Sequence, residues 1–194
     1  MYGLPMSVIV FGYAANIVMT FFMLRVWFQA CGVNPRNPIA NFVMRLAKTP
    51  VELLGNRTMN GINLSAIGWI LIVLVIKYLG IYLMLDIPSD ELAHPIYIAK
   101  PALFLLRYTG CVFFFTMIID AILSWFGANT LSEVTRCLMY PVISTMRKVI
   151  PPIGMIDISF IILMILLTVA DSLVFKTLAY AVPNGAVFLW TLVI

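Results

Sequence analysis

Two polar, proline-marked loops carrying basic residues each lie between apolar stretches, and the residues flanking them repeat. Trp27-Phe28 closes one apolar stretch and Ile62-Asn63-Leu64-Ser65 opens the next; Trp125-Phe126 closes a third and Ile156-Asp157-Ile158-Ser159 opens a fourth. A tandem repeat of helix, basic loop and helix constrains the fold more than any single motif does, because corresponding positions of the two copies take corresponding places. The copies divide the chain into residues 1–98 and 99–194.

Each apolar stretch reaches the roughly 20 residues that a helix needs to cross a bilayer core. They run from about Met6 to Phe28, Leu64 to Leu85, Ala102 to Phe126 and Ile158 to Val182. Only 10% of residues are charged and 63% are hydrophobic, against about 25% charged in a soluble domain. The expected fold class is an all-α membrane protein of four transmembrane helices, arranged as two tandem two-helix repeats. The first stretch has no basic n-region or small-residue cleavage site, so it reads as a retained span and not a secretory signal.

Basic residues are distributed unevenly. Arg36, Arg45, Lys48 and Arg57 lie in the first loop, and Arg136, Arg147 and Lys148 in the second. The connection between the copies holds Asp86, Asp90 and Glu91 against Lys100. By the positive-inside rule, both basic loops face the cytoplasm and both termini lie outside. Trp27, Trp69 and Trp125 then mark the inner interface, and Tyr82, Tyr97, Tyr108 and Tyr180 the outer one. The net charge of +4 suits anionic lipid better than nucleic acid, which calls for a denser basic patch. Cys31, Cys111 and Cys137 are odd in number and lie on different segments, and His94 is the only histidine. That pattern points away from a disulfide framework or a metal site.

Both basic loops read as helical. Asn37 has the chemistry of a cap, with Pro38 at the first helical position, and Ile39, Phe42, Val43, Leu46 and Ala47 follow at helical spacing until Thr49-Pro50 marks a break. Thr130-Leu131-Ser132-Glu133 has capping-box form, which predicts Thr130 as the cap. Leu131, Val134, Leu138 and Met139 then form a stripe until Tyr140-Pro141 interrupts it, and a second short helix, Val142 to Ile150, precedes Pro151-Pro152. Amphipathic helices flanked by basic residues lie in the membrane interface. There they either pack beneath the bundle or present a surface to a partner.

The run from Tyr140-Pro141 through Arg147-Lys148-Val149-Ile150-Pro151-Pro152-Ile153-Gly154 to Ile156-Asp157-Ile158-Ser159 resembles the YggT family, small bacterial inner-membrane proteins with plastid relatives. The first copy is more divergent. It keeps Leu24-Arg25-Val26-Trp27, Asn37-Pro38, Thr49-Pro50, Arg57 and Ile62-Asn63-Leu64-Ser65, but lacks the Pro-Pro pair and has Asn63 where the second copy has Asp157. The resemblance implies a multi-pass protein of the bacterial inner membrane. It also implies links to osmotic-stress tolerance and potassium uptake, with relatives tied to division or to assembly of a cytochrome b-type protein. No family-wide reaction comes with it.

Comparing the copies locates charges inside the membrane. Lys77 stands 14 residues after Asn63, and Asp171 stands 14 after Asp157. Both therefore lie about 21 Å along their helices at 1.5 Å per residue. An unpaired charge in hydrocarbon costs several kcal/mol, so Lys77 and Asp171 are expected to meet across the pseudo-twofold axis. Arg25 and Asp120 form a second expected pair near the cytoplasmic ends, although Arg25 can also snorkel, as can Arg107 and Lys176.

No P-loop, nucleophile elbow, HExxH or dinucleotide turn appears. Ser124 lies one turn from Asp120 without a histidine to activate it, and Asn63 and Asp157 suit helix caps better than bases. The expected function is therefore non-enzymatic, without cofactor or metal: an accessory or scaffold protein that packs against another membrane protein or its own copy. Arg147, Lys148 and Pro151-Pro152 are the expected contact elements, within a cytoplasmic motif that also holds Pro141, Gly154 and Asp157. Direct ion or proton transport is the rival. The apolar tail from Ala186 to Ile194 is too short to span.

Overall fold

The computed structural model describes residues 5–59, 61–86, 95–127, 129–149 and 158–176. Helix α1 (Met6–Ala30) runs into two short helices, α2 (Pro38–Leu46) and α3 (Lys48–Leu53). A two-stranded antiparallel hairpin, β1 (Thr58–Met59) and β2 (Ile62–Asn63), leads into α4 (Leu64–Met84). The second half contributes α5 (Pro95–Leu123), α6 (Thr130–Val149) and α7 (Ile158–Ala170), which continues as a π-helical turn, Asp171–Lys176.

Among the described residues, three helices are long and apolar enough to cross a membrane: Met6–Ala30, Leu64–Met84 and residues 99–123 of α5. The chain is a predominantly helical membrane protein. These helices are apolar on all sides, so Val10 and Ile17 of α1 and Val75 and Leu79 of α4 face outward, as in a helix solvated by lipid. The fourth expected span is only partly described. Its α-helical part has 13 residues, about 20 Å long, before the hydrogen-bond register widens at Asp171.

The ends depart from the sequence expectation at several points. Helix α5 begins before Ala102 and ends at Leu123, so Trp125-Phe126 lies beyond it, with Trp125 86% exposed. The expected break at Tyr140-Pro141 does not occur, because α6 continues through Pro141. A mid-helix proline removes one backbone bond and costs about 3 kcal/mol. Buried Leu138 and Met139 before it, and Ile143 and Met146 after it, pack into one apolar cluster and hold the axis together. The expected separate helix from Val142 is thus the second half of α6. In the first loop the chain turns at Ala47, and Pro50 sits inside α3. The hairpin had no counterpart in the sequence reading; Gly61, with φ of +80°, makes its turn possible.

Among the described residues, two apolar clusters form the interior, and both draw on both halves of the chain. One gathers Met19, Phe22, Val51, Ala66, Ile70, Leu74, Tyr78 and Phe104 from α1, α3, α4 and α5. The other gathers Phe28, Ala40, Val43, Met117, Val134, Leu138, Met139 and Leu163, which ties α2 to α6 beneath the bundle. Helices α1 and α4 pack tightly at Gly80, where a Cβ would lie 2.5 Å from the Phe11 ring. Small residues permit such approach between membrane helices.

Candidate functional site

The apolar character of α1 is broken by Asn16 and Thr20, one turn apart on one face. Asn16 is 4% exposed, and Lys77, facing it from α4, is 0% exposed. The Lys77 amine donates to Asn16 Oδ1 at 2.8 Å and lies 3.2 Å from the centroid of the Phe104 ring on α5, with Tyr78 on its other side. A cation over an aromatic face gains about 2 kcal/mol or more when desolvated. The Tyr108 hydroxyl lies 2.7 Å from Thr20 Oγ1 and donates to the Asn16 carbonyl at 3.1 Å. Three helices are joined at one polar knot, in which the groups that hydrocarbon would punish satisfy one another.

The expected contact between Lys77 and Asp171 is not made. Asp171 is engaged by Arg107, with Nε to Oδ1 at 2.6 Å and Nη2 to Oδ2 at 3.2 Å. Corresponding sequence positions do not imply matching azimuth. The Lys77 face of α4 turns toward α1 and α5, whereas Asp171 turns toward Arg107 on α5. Arg107 therefore does not snorkel but makes a two-pronged ion pair within the described bundle. Its partner opens the π-helical turn, a distortion frequent at functional positions.

Arg25 and Asp120 do not pair either. Arg25 reaches beneath α2, where its Nη1 donates to the Met44 carbonyl at 2.6 Å, while Asp120 accepts from Thr135 Oγ1 on α6 at 2.7 Å. Each polar group ties a long helix to its own neighbouring loop helix. Tyr108, expected at the outer interface, instead points into the polar knot. Trp27 stacks on Phe113 at 5.5 Å, and the Trp69 N–H donates to the Pro50 carbonyl.

Asn37 caps α2 as expected, accepting from the Ile39 N–H at 3.0 Å. Its amide nitrogen also donates to the Thr130 carbonyl at 2.9 Å and to Glu133 Oε2 at 3.0 Å, which joins the two basic loops. The cap of α6 is Asn129, not Thr130. Asn129 Oδ1 accepts from the N–H groups of Leu131 and Ser132, and Ser132 Oγ accepts from the Asn129 N–H. The reciprocal box is therefore set one residue earlier, with Ser132 in place of the longer Glu133, whose carboxylate is engaged by Asn37. Asn63 caps α4 through the Ala66 N–H at 2.9 Å, and its own amide donates to Asn56. The Arg57 N–H donates to Ser65 Oγ.

Arg147 and Lys148 are exposed at the end of α6, and Pro141 is exposed at its middle. Pro151, Pro152, Gly154 and Asp157 lie outside the described residues, as do the side chain of Lys176 and the tail from Ala186 to Ile194. Cys137 Sγ contacts the Cys31 carbonyl at 3.2 Å. Burial pushes the Cys31 thiol above its ordinary pKa, and neighbouring Cys137 pushes it the same way. Among the described residues, no group of three or more His, Cys, Asp or Glu side chains is placed to hold a metal ion. The sequence reading missed Asn16, whose signal was available: an amide in the middle of an apolar span is costly and demands a partner.

The sequence profile of the CCB3/YggT family matches residues 99–178. An uncharacterised protein of Haemophilus influenzae is 27% identical over 168 residues, covering 84% of this chain and 88% of its own. A Vibrio alginolyticus protein encoded in the proC 3' region is 26% identical, covering 78% of this chain and 83% of its own. The Escherichia coli K12 protein YggT is 25% identical, covering 77% of this chain and 78% of its own. No solved structure matches the chain. Residues 99–178, which include the paired basic residues at the end of α6 and the proline within it, thus resemble the CCB3/YggT family, and most of the chain is similar to YggT of Escherichia coli.

Proposed function

We propose that this protein is a non-enzymatic accessory or scaffold component of the bacterial inner membrane. In this reading it has four spans in two repeats, amphipathic helices at the cytoplasmic face and both termini outside. It packs against another membrane protein or its own copy and supports osmotic or potassium homeostasis. One observation carries the reading: Lys77, Arg107 and Asp120 of the long helices, and Asn37 at the start of α2, are engaged in fastening the chain to itself. Lys77 binds Asn16, Arg107 binds Asp171, Asp120 binds Thr135 and Asn37 binds Glu133. Such groups stiffen a body and do not by themselves line a path for solute. The basic pair Arg147 and Lys148 is exposed at the end of α6 and serves as a contact for a partner or for anionic lipid.

A second reading, direct proton or cation transport, draws on two features: a buried lysine whose hydrogen-bond partner is a neutral amide, and a π-helical turn beginning at an ion-paired aspartate. Purified protein in liposomes loaded with a potassium- or pH-sensitive dye separates the two. The scaffold reading expects no flux above that of empty liposomes, together with capture of one defined membrane protein by a crosslinker placed at Arg147 or Lys148. Flux that is lost in Lys77→Met would replace it with the transport reading.

A further inference from the structure

A small basic hollow lies where the basic-loop end of α1 meets α2 and α3. It is lined by Arg25, Met44, Arg45, Lys48, Glu52 and Asn56, with a volume of about 220 Å³. Sites for drug-sized ligands run to about 300–1,000 Å³, so this one suits a compact anion. Three of its lining side chains are cationic and one is anionic.

Arg25 is the informative member. It is 7% exposed, and only part of its donor fork is used. Nη1 holds the Met44 carbonyl, whereas buried Nε meets no acceptor among the described residues. A buried guanidinium donor without an acceptor costs free energy that a bound anion would recover. Arg45 and Lys48 stand at the rim and are exposed. Asn56 has its carboxamide oxygen occupied by Asn63 and keeps its amide nitrogen as a donor. Glu52 pairs with Lys48 at 3.8 Å, with both side chains more than half exposed, and also attracts Arg25, so it competes with an incoming anion for these cations.

The surroundings identify the source of the anion. Leu46 and Leu53, next in the chain to Arg45 and Glu52, are exposed apolar side chains, and Phe42 is exposed one turn earlier on α2. A free anion has no use for such neighbours, but the acyl chains beneath a headgroup cover them. We infer that this hollow binds the phosphate of an anionic phospholipid, with Arg25 Nε and the Arg45 and Lys48 cations as its donors. The inference rests on the reading above only in placing this end of the bundle at an anionic leaflet.

Native mass spectrometry of the full chain in neutral detergent tests it, with phosphatidylglycerol, phosphatidylcholine and inorganic phosphate as separate probes. Phosphatidylglycerol should bind at least about tenfold more tightly than phosphatidylcholine. Arg45→Gln with Lys48→Gln should weaken it about thirtyfold, the effect of two basic groups near a phosphate. Glu52→Gln should tighten it, and Arg25→Gln should abolish the preference for the anionic lipid. Because Arg25→Gln can also loosen α2, the exposed double variant decides. Equal binding of the two lipids would overturn the site, as would an equal loss in Arg36→Gln with Arg136→Gln, two exposed cations elsewhere. Inorganic phosphate binding as tightly as phosphatidylglycerol would overturn the lipid source. Each result is read on the isolated protein, so it stands apart from whether a protein partner or ion flux is found.

Discussion

Lys77 and Asn16 are held 2.8 Å apart, amine to carboxamide oxygen, between two helices and beneath the face of Phe104. The contact replaces an expected ion pair with a neutral acceptor and aromatic faces, and it makes the stability of α1 against α4 depend on an amide.

Removing that amide should be worse than removing both partners. Asn16→Leu leaves Lys77 buried without its oxygen and should cost about 3 kcal/mol, the upper range for an unsatisfied buried group. Adding Lys77→Met should restore most of that loss. Thermal unfolding in micelles measures both, and a double variant no more stable than Asn16→Leu would contradict the assignment.

Double-variant cycles should distinguish the real ion pair from the one expected by repeat symmetry. Lys77→Leu and Asp171→Leu should add within about 0.5 kcal/mol, as independent sites do. Arg107→Leu and Asp171→Leu should couple by about 2 kcal/mol, between the values for exposed and buried pairs, because their side chains are 18% and 34% exposed. Coupling between Lys77 and Asp171 as large as that would restore the symmetric pair.

Asn37 has two tasks, which two substitutions divide. Asn37→Ala should cost about 2 kcal/mol, roughly half from the lost cap and half from the lost bonds to the second loop. Asn37→Asp keeps the cap but sets a carboxylate against Glu133, so hydrogen exchange should quicken in the first turn of α6 while α2 stays protected. Equal protection of both helices in that variant would refute the bridge.

Gly80 leaves room for the Phe11 ring between α1 and α4. Gly80→Ala pushes its new methyl against the outer edge of the Phe11 ring, which can tilt away, so the cost should be about 1 kcal/mol. Phe11→Leu should relieve it. If Gly80→Ala proves neutral in thermal unfolding, the approach is looser than described.

Much of this architecture was legible in local sequence. The apolar runs from Met6 and from Leu64 became α1 and α4 almost to the residue, because length and hydropathy are local quantities. Asn37 and Asn63 were legible as caps because a cap reaches only two or three residues along the chain. Asn129 was not, since Thr130-x-x-Glu133 also satisfies the pattern, and Glu133 was drawn off by a residue 96 positions away. The break expected at Pro141 failed for a similar reason: the backbone cost is local, but the packing that offsets it comes from α2 and α5.

By itself the sequence determined that this chain is a helical membrane protein, which stretches become its long helices and which residues would need partners there. Apolar length and the cost of burying charge decide those matters within a single helix. Only the tertiary structure decided who the partners are. Lys77 and Asp171 stand at corresponding sequence positions, 14 residues after Asn63 and Asp157, but pairing also depends on the direction in which each helix face points. That direction is set by packing among α1, α4, α5 and α7, not by register along any one of them.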